Sequence, residues 1–116
     1  MKIQGYGTGK GVEQDDEKFI YWVTKAAEQG FALAQSSLGA EYDFGMTVEE
    51  DDEKAVYWYT KAAEQGDANG QYYLGNCYEN GRGVTQDNEK AVYWYTKAAE
   101  QGVAVAQDQL QLLKST

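Results

Sequence analysis

The stretch Glu53 to Gly66 reads EKAVYWYTKAAEQG, and Glu89 to Gly102 repeats it letter for letter 36 residues later. Another 36 residues upstream, Glu17 to Gly30 reads EKFIYWVTKAAEQG. Within the stretch, Ala55, Trp58, Tyr59, Ala62 and Ala63 follow an i, i+3, i+4, i+7, i+8 stripe, the apolar face of a helix. Strict alternation is absent, so strands are not supported.

A second element stands between the copies. It reads AQSSLGAEYDFG from Ala34, GQYYLGNCYENG from Gly70 and, shortened, AQDQLQLLK from Ala106. Ala34, Leu38 and Tyr42 lie four apart, again one face of a helix, with Gly39 beside Leu38. Each unit is thus a leading helix followed by a trailing helix. Ala34, Gly39, Ala62 and Ala63 are small enough to let helix axes approach, while Leu38, Tyr42 and Trp58 fill the space between. One such pair cannot bury its apolar face alone, but a stack can. The expected fold is all-α, an α/α solenoid of helix-turn-helix repeats.

The helix ends agree. Asp15, Asp51 and Asp87 recur ahead of the trailing helices, where a carboxylate caps free N–H groups. More acidic residues follow, at the positive end of the helix dipole. Gly30, Gly66 and Gly102 follow the trailing helices, and Gly45 and Gly81 the leading ones. Glycine there permits the left-handed turn that stops a helix.

Composition narrows the function. The 116 residues fit one domain, and ten tyrosines with three tryptophans argue against disorder. A net charge of −9 repels phosphate backbones and anionic lipid, so neither nucleic acid nor membrane is an expected partner. There is no histidine, which removes Ser-His-Asp and Cys-His catalysis and the commonest transition-metal ligand. The single cysteine, Cys77, forms no intrachain disulfide and suits a reducing compartment. No run approaches the ~18 apolar residues of a membrane span. Met1-Lys2-Ile3-Gln4-Gly5 leads into no signal-peptide core. The expected location is therefore cytoplasmic; a secreted or periplasmic protein would look the same once its signal had been removed.

The residues AEQG-x-A-x-A-Q-x-x-LG-x-x-Y-x-x-G, then G-V-x-QD-x-EKA-V-x-WY-x-KAA, resemble the SEL-1-like repeat family. That family is a relative of the tetratricopeptide repeat, whose period of about 34 residues fits less well. The resemblance implies α/α hairpins in a right-handed superhelix, and adaptor roles in protein complexes. Some bacterial relatives pair cysteines within each repeat; this chain lacks those pairs. It also departs in the loop glycines. Gly9/Gly11 and Gly81/Gly83 keep a pair, but the middle copy has Gly45 with Thr47, so its loop, Met46 to Glu50, is expected to differ in shape.

The expected organisation is one domain over 1–116. Residues 1–30 form a partial first repeat, mostly its trailing helix, 31–66 and 67–102 form two full repeats, and 103–116 form a C-terminal capping helix. Two glycines in residues 1–8 make a leading helix there improbable. Only Tyr6 falls where Tyr42 and Tyr78 fall. Phe19 and Val23 replace Ala55 and Tyr59, and the larger Phe19 is expected to fill part of the missing space. In the last helix Gln111 replaces Gly39 and Gly75, and Asp108, Gln109, Gln111 and Lys114 make a wetter face. The C-terminal end thus reads as capped and the N-terminal end as open. An open end fits a piece of a longer array, or self-association.

By similarity to the tetratricopeptide arrangement, the leading helices line a concave groove. Leu33, Ser36, Ala40 and Asp43 would face it in one copy, Asn69, Tyr72, Asn76 and Glu79 in the next, with Val105 and Asp108 continuing the row. These positions differ between copies whose trailing helices are identical, as a recognition surface would, and as neutral drift on an exposed face also would. Tyr72 and Tyr73 are the strongest anchors, offering large area and a polar handle. Tyr21, Tyr57 and Tyr93 lie off the main stripe and are expected to pack edge-on against a neighbouring repeat rather than form an exposed row.

The remaining motifs have simpler accounts. Glu49-Glu50-Asp51-Asp52-Glu53 lacks the alternating pattern of a calcium loop and reads as capping and solvated charge. Cys77 has no neighbouring basic residue or second cysteine in sequence and reads as a structural thiol. Gly81-Arg82-Gly83 is not a phosphate loop, and no S-x-x-K motif is present. No catalytic, cofactor or metal residue is assigned. The expected function is a scaffold presenting a groove to a peptide or helix of a partner protein. A module self-associating through its N-terminal end comes second, and a small hydrolase using paired carboxylates third.

Overall fold

Asp51 shows how the chain enters a helix. Its backbone is extended, its N–H donates to the Tyr42 carbonyl at 2.9 Å, and its side chain accepts from the Lys54 N–H at 3.1 Å. Asp87 repeats this with Tyr78 and Lys90. The computed structural model describes residues 14–115, and these form six helices and no strand. They are α1 (Gln14–Glu28), α2 (Ala32–Phe44), α3 (Asp52–Glu64), α4 (Ala68–Asn80), α5 (Asn88–Glu100) and α6 (Ala104–Lys114). Helices α2, α4 and α6 are the leading helices, and α1, α3 and α5 the trailing ones. The expectations for residues 1–13, including Tyr6 and the Gly9/Gly11 pair, lie outside the described residues.

The caps differ in detail from the sequence reading. Asp15 lies inside the first turn of α1, where its charge meets the helix dipole, rather than ahead of the helix. Asp67 caps α4 through the Gly70 N–H at 2.7 Å, a role the spacing did not announce. Gly45 and Gly81 end α2 and α4 with φ of 63° and 68°, the left-handed conformation glycine adopts without strain.

Each helix packs on the next, and α2 also meets α4, so the chain is an elongated stack of 54 × 29 × 25 Å. The core follows the small-against-large pattern. Ala55, Tyr59, Ala63, Leu74 and Cys77 form one buried cluster, and Ala91, Tyr95, Ala98 and Ala106 the next. Trp58 is only partly buried, whereas Tyr59 is wholly so. Gly39 exists for Tyr59: a Cβ on residue 39 would lie 2.6 Å from the Tyr59 ring, and one on Gly75 would lie 2.8 Å from the Tyr95 ring. In α1, Phe19 stands where Ala55 and Ala91 are sealed, and is itself 44% exposed.

Two glutamines per repeat join neighbouring units. Gln65 Nε2 donates to the Gly30 carbonyl at 2.8 Å and to Gln35 Oε1 at 2.9 Å, while Gln35 Nε2 donates to the Ala27 carbonyl at 3.1 Å. One repeat later Gln101 does the same to Gly66 and Gln71, and Gln71 to Ala63. These bonds give the Ala27 and Ala63 carbonyls a second donor beside the Gly30 and Gly66 N–H groups, and they engage the Gly30 and Gly66 carbonyls just beyond the trailing helices.

The loop after α2 does differ from its counterpart. Gly83 has φ of 73°, and a Cβ there would collide with the Asp52 carbonyl, so only glycine lets this loop press against α3. Thr47, in the equivalent place, has no positive φ and instead donates its hydroxyl to Glu41 at 2.6 Å. A cavity of about 390 Å³ lies between this loop and the start of α1, lined by Ile20, Tyr21, Thr47 and Val48.

Candidate functional site

A line of polar contacts runs through both full repeats and on to α6. Tyr59 donates its hydroxyl to Asp43 at 2.9 Å, and the other oxygen of Asp43 pairs with Arg82. Arg82 also donates to the side-chain oxygen of Asn76, whose amide donates to the Tyr95 hydroxyl at 3.3 Å. Tyr95 donates in turn to Glu79 at 2.6 Å, and Glu79 accepts from Gln109 at 3.0 Å. Burial, then the Asp43 carboxylate, pushes the Tyr59 phenol above its ordinary range. Burial, then the hydrogen bond to Glu79, does the same to Tyr95. Burial pushes the Cys77 thiol up to about 12 against the opposing pull of Arg82, so it stays a protonated, unreactive thiol.

Above this line opens a cleft of about 370 Å³ between α2 and α4, lined by Asp43, Phe44, Tyr72, Tyr73, Asn76 and Arg82. Its aromatic wall is continuous. Tyr73 stacks on Tyr59 at 5.2 Å between centroids and meets Phe44 edge-on at 6.1 Å. Tyr72 meets Tyr73 edge-on at 5.3 Å and lies 5.7 Å from Tyr95. Phe44 is 57% exposed. Among the described residues the hydroxyls of Tyr72 and Tyr73 make no hydrogen bond, so both side chains of the cleft lining keep a hydroxyl free to donate. Arg82 is the chain's only arginine, and its charge is compensated by Asp43 with Asp52 nearby.

The structure brings together four of the residues singled out from the sequence, Asp43, Tyr72, Tyr73 and Asn76. It gives Asp43 and Glu79 an inward task as acceptors for Tyr59 and Tyr95, so neither is a free contact position. Ser36 is buried with its hydroxyl on the Leu33 carbonyl at 3.1 Å, and it too leaves the groove set. Ala40 is partly buried beside the core, whereas Leu33, Asn69, Val105 and Asp108 are exposed but lie outside the cleft. Phe44 and Arg82 were not singled out. Phe44 ends α2 where Asn80 ends α4, and Arg82 lies in a turn that reads only as a failed phosphate loop. The signal for Arg82 was its being the one guanidinium in the chain.

The opposite face corrects another expectation. Tyr21, Tyr57 and Tyr93 are exposed, 52–54%, and sit edge-on, 4.9 Å between centroids, against the tryptophan next to each in its own helix rather than against a neighbouring repeat. Lys25, Lys61 and Lys97 lie 5.2–5.4 Å above these tyrosines. Two matching pockets of about 290 and 300 Å³ result, one holding Tyr93, Trp94 and Lys97 and the other Tyr57, Trp58 and Lys61. Trp58 and Trp94 thus occupy like surroundings. Among the described residues, no group of three or more His, Cys, Asp or Glu side chains is placed to hold a metal. No helix there is long and apolar enough to cross a membrane.

Among the solved structures similar to this chain are three Sel1-type and cysteine-rich repeat proteins. One is c5321, described as a protective antigen present in uropathogenic Escherichia coli strains and displaying an SLR fold (43% identity, TM-score 0.81, 83% of this chain and 21% of that one). The second is a Sel1 repeat protein from Oxalobacter formigenes (42% identity, TM-score 0.80, 81% and 27%). The third is cysteine rich protein B of Helicobacter pylori (31% identity, TM-score 0.76, 81% and 71%). The chain spans only about a quarter of the first two. No curated protein matches it. The Sel1 repeat family model matches three times in succession, over residues 4–31, 32–67 and 68–103. With alternating helices on a 36-residue period and repeat matches along most of its length, the chain belongs to the Sel1 repeat family.

Proposed function

We propose that the cleft between α2 and α4 is where this chain captures a segment of a partner protein. Sel1 repeat proteins are generally protein-interaction scaffolds. The observation that carries the finer reading is where the copies diverge. The trailing helices from Glu53 and Glu89 are identical, yet Tyr72 and Tyr73 replace Ser36 and Ser37, Asn76 replaces Ala40 and Arg82 replaces Met46. These four changes line one open cleft with Phe44. The hydrogen bonds that already hold Asp43, Asn76 and Arg82 in the cleft lining support binding, because side chains fixed beforehand lose little order on association. An affinity capture with the wild-type chain, Tyr73→Ala, Asn76→Ala and the opposite-face control Tyr93→Ala tests it. Partners retained by Tyr93→Ala and lost by the two cleft variants support the reading. Retention of every partner by both cleft variants overturns it.

A second reading is self-association through α1, favoured by Phe19 at 44% and Trp22 at 65% exposure. Light scattering over a concentration series, on wild type and Trp22→Ser, separates it from a monomer.

A further inference from the structure

We infer that the segment taken by the cleft is a proline-rich stretch in the polyproline II conformation, flanked by basic residues; this rests on the cleft being the binding site. Three features of the cleft select this occupant. The first is its wall of Phe44, Tyr72 and Tyr73, set edge-on to one another. Aromatic-lined grooves of this sort accept proline rings, which are compact and apolar.

The second is the pair of unengaged hydroxyl donors on Tyr72 and Tyr73. Asn76 gives one amide hydrogen to Tyr95 and its oxygen accepts from Arg82, which leaves a single N–H beside these hydroxyls. Donors left free in this way are met by a backbone whose carbonyls are free to accept. An α-helix has spent its carbonyls on its own N–H groups. A β-strand needs the edge of a sheet, and the described residues contain no strand. A polyproline II segment makes no internal hydrogen bonds and leaves its carbonyls open. Being preformed, it also loses little entropy on binding.

The third is charge. Arg82 is held by Asp43, so the cleft offers no unpaired cation to an acidic peptide. Glu79 lies close enough to help raise the Tyr72 phenol, and the chain carries a net charge of −9. The field around the cleft is therefore negative, and it draws basic flanks.

The test measures fluorescence anisotropy with three labelled synthetic peptides sharing the same lysine flanks. Their centres are an octaproline, a glycine-serine stretch of equal length and an amphipathic helix. Binding is measured on the wild type, the double variant Tyr72→Phe/Tyr73→Phe and the control Tyr93→Phe, with circular dichroism confirming that each is folded. The expected result is that octaproline binds wild type at least ~10-fold more tightly than glycine-serine. The double variant should lose about 10-fold and the control nothing, two neutral hydrogen bonds being removed. Equal binding of octaproline and glycine-serine would mean that the lysines alone are read, and would overturn the inference. Preference for the helix would also overturn it while leaving the cleft as the site. Binding of none of the three would overturn it too, and the capture experiment would then judge the cleft separately.

Discussion

The ring of Tyr59 occupies the space that a side chain on residue 39 would need: a Cβ there would stand 2.6 Å from the ring carbon Cδ1. Tyr59 is fully buried, stacked on Tyr73 and hydrogen-bonded to Asp43, so it has nowhere to retreat. Gly39→Ala gains ~1 kcal/mol of helix propensity, but overpacking costs about 1–3 kcal/mol. Because the ring cannot move aside, the overpacking cost falls in the upper part of that range, about 2–3 kcal/mol, and a net loss of about 1–2 kcal/mol is expected in urea unfolding. An unchanged midpoint would mean that α2 and α3 slide apart freely.

The Asp43–Arg82 pair predicts strong coupling. Removing one member of a buried pair strands the other, at about 3 kcal/mol or somewhat less where one partner touches solvent. Arg82→Met places in this turn the residue its counterpart has at Met46, and is expected to destabilise by that amount. Adding Asp43→Asn should recover more than half of the loss. Simple addition of the two single effects in a double-mutant cycle would contradict the contact.

Alkaline stability follows from the buried phenols. Tyr59 and Tyr95 are raised above their ordinary range and Cys77 is pushed up to about 12. The unfolded chain loses these protons from about pH 9 upward while the folded chain keeps them. Stability is therefore complete below that pH and falls as pH rises, by about 1.4 kcal/mol per pH unit for each group fully titrating. Urea unfolding between about pH 8 and 11 measures the slope, and Tyr59→Phe should make it shallower.

Gln71 predicts an acid-sensitive variant. Its amide donates to the Ala63 carbonyl at 3.3 Å and accepts from Gln101 at 2.9 Å. In Gln71→Glu the carboxylate still accepts, but it faces the Ala63 oxygen without a proton, costing about 2–3 kcal/mol near neutral pH. Its folded pKa is thereby raised above the unfolded value near 4.3, so the deficit against wild type should shrink as pH falls toward that value. A deficit independent of pH would place the carboxylate in water.

Much of this fold is written in single residues with a period. Glu53–Gly66 and its twin gave the trailing helices, and Ala34, Leu38 and Tyr42 gave the leading ones. The site was harder to read. Side-chain positions along α2 and α4 marked Tyr72, Tyr73 and Asn76, but could not tell Asp43 from an exposed acid. Its burial depends on Tyr59, 16 residues on, and on Arg82, 39 residues on. Arg82 stands out as the one guanidinium, but it could not be placed at the cleft because turn residues carry no helical phase. The exposed faces of Tyr57 and Tyr93 were missed for a related reason. An aromatic beside a tryptophan can pack within its own helix, and sequence spacing does not say which neighbour it will choose.

The glutamine bonds carry a consequence for how such chains grow. Gln65 and Gln101 reach back only to the unit before, and every atom they need is supplied by those two units. A gene duplication inserting 36 residues between Gly66 and Asp67 would bring its own donor and its own acceptor. The lengthened protein would be born with its splice already sealed.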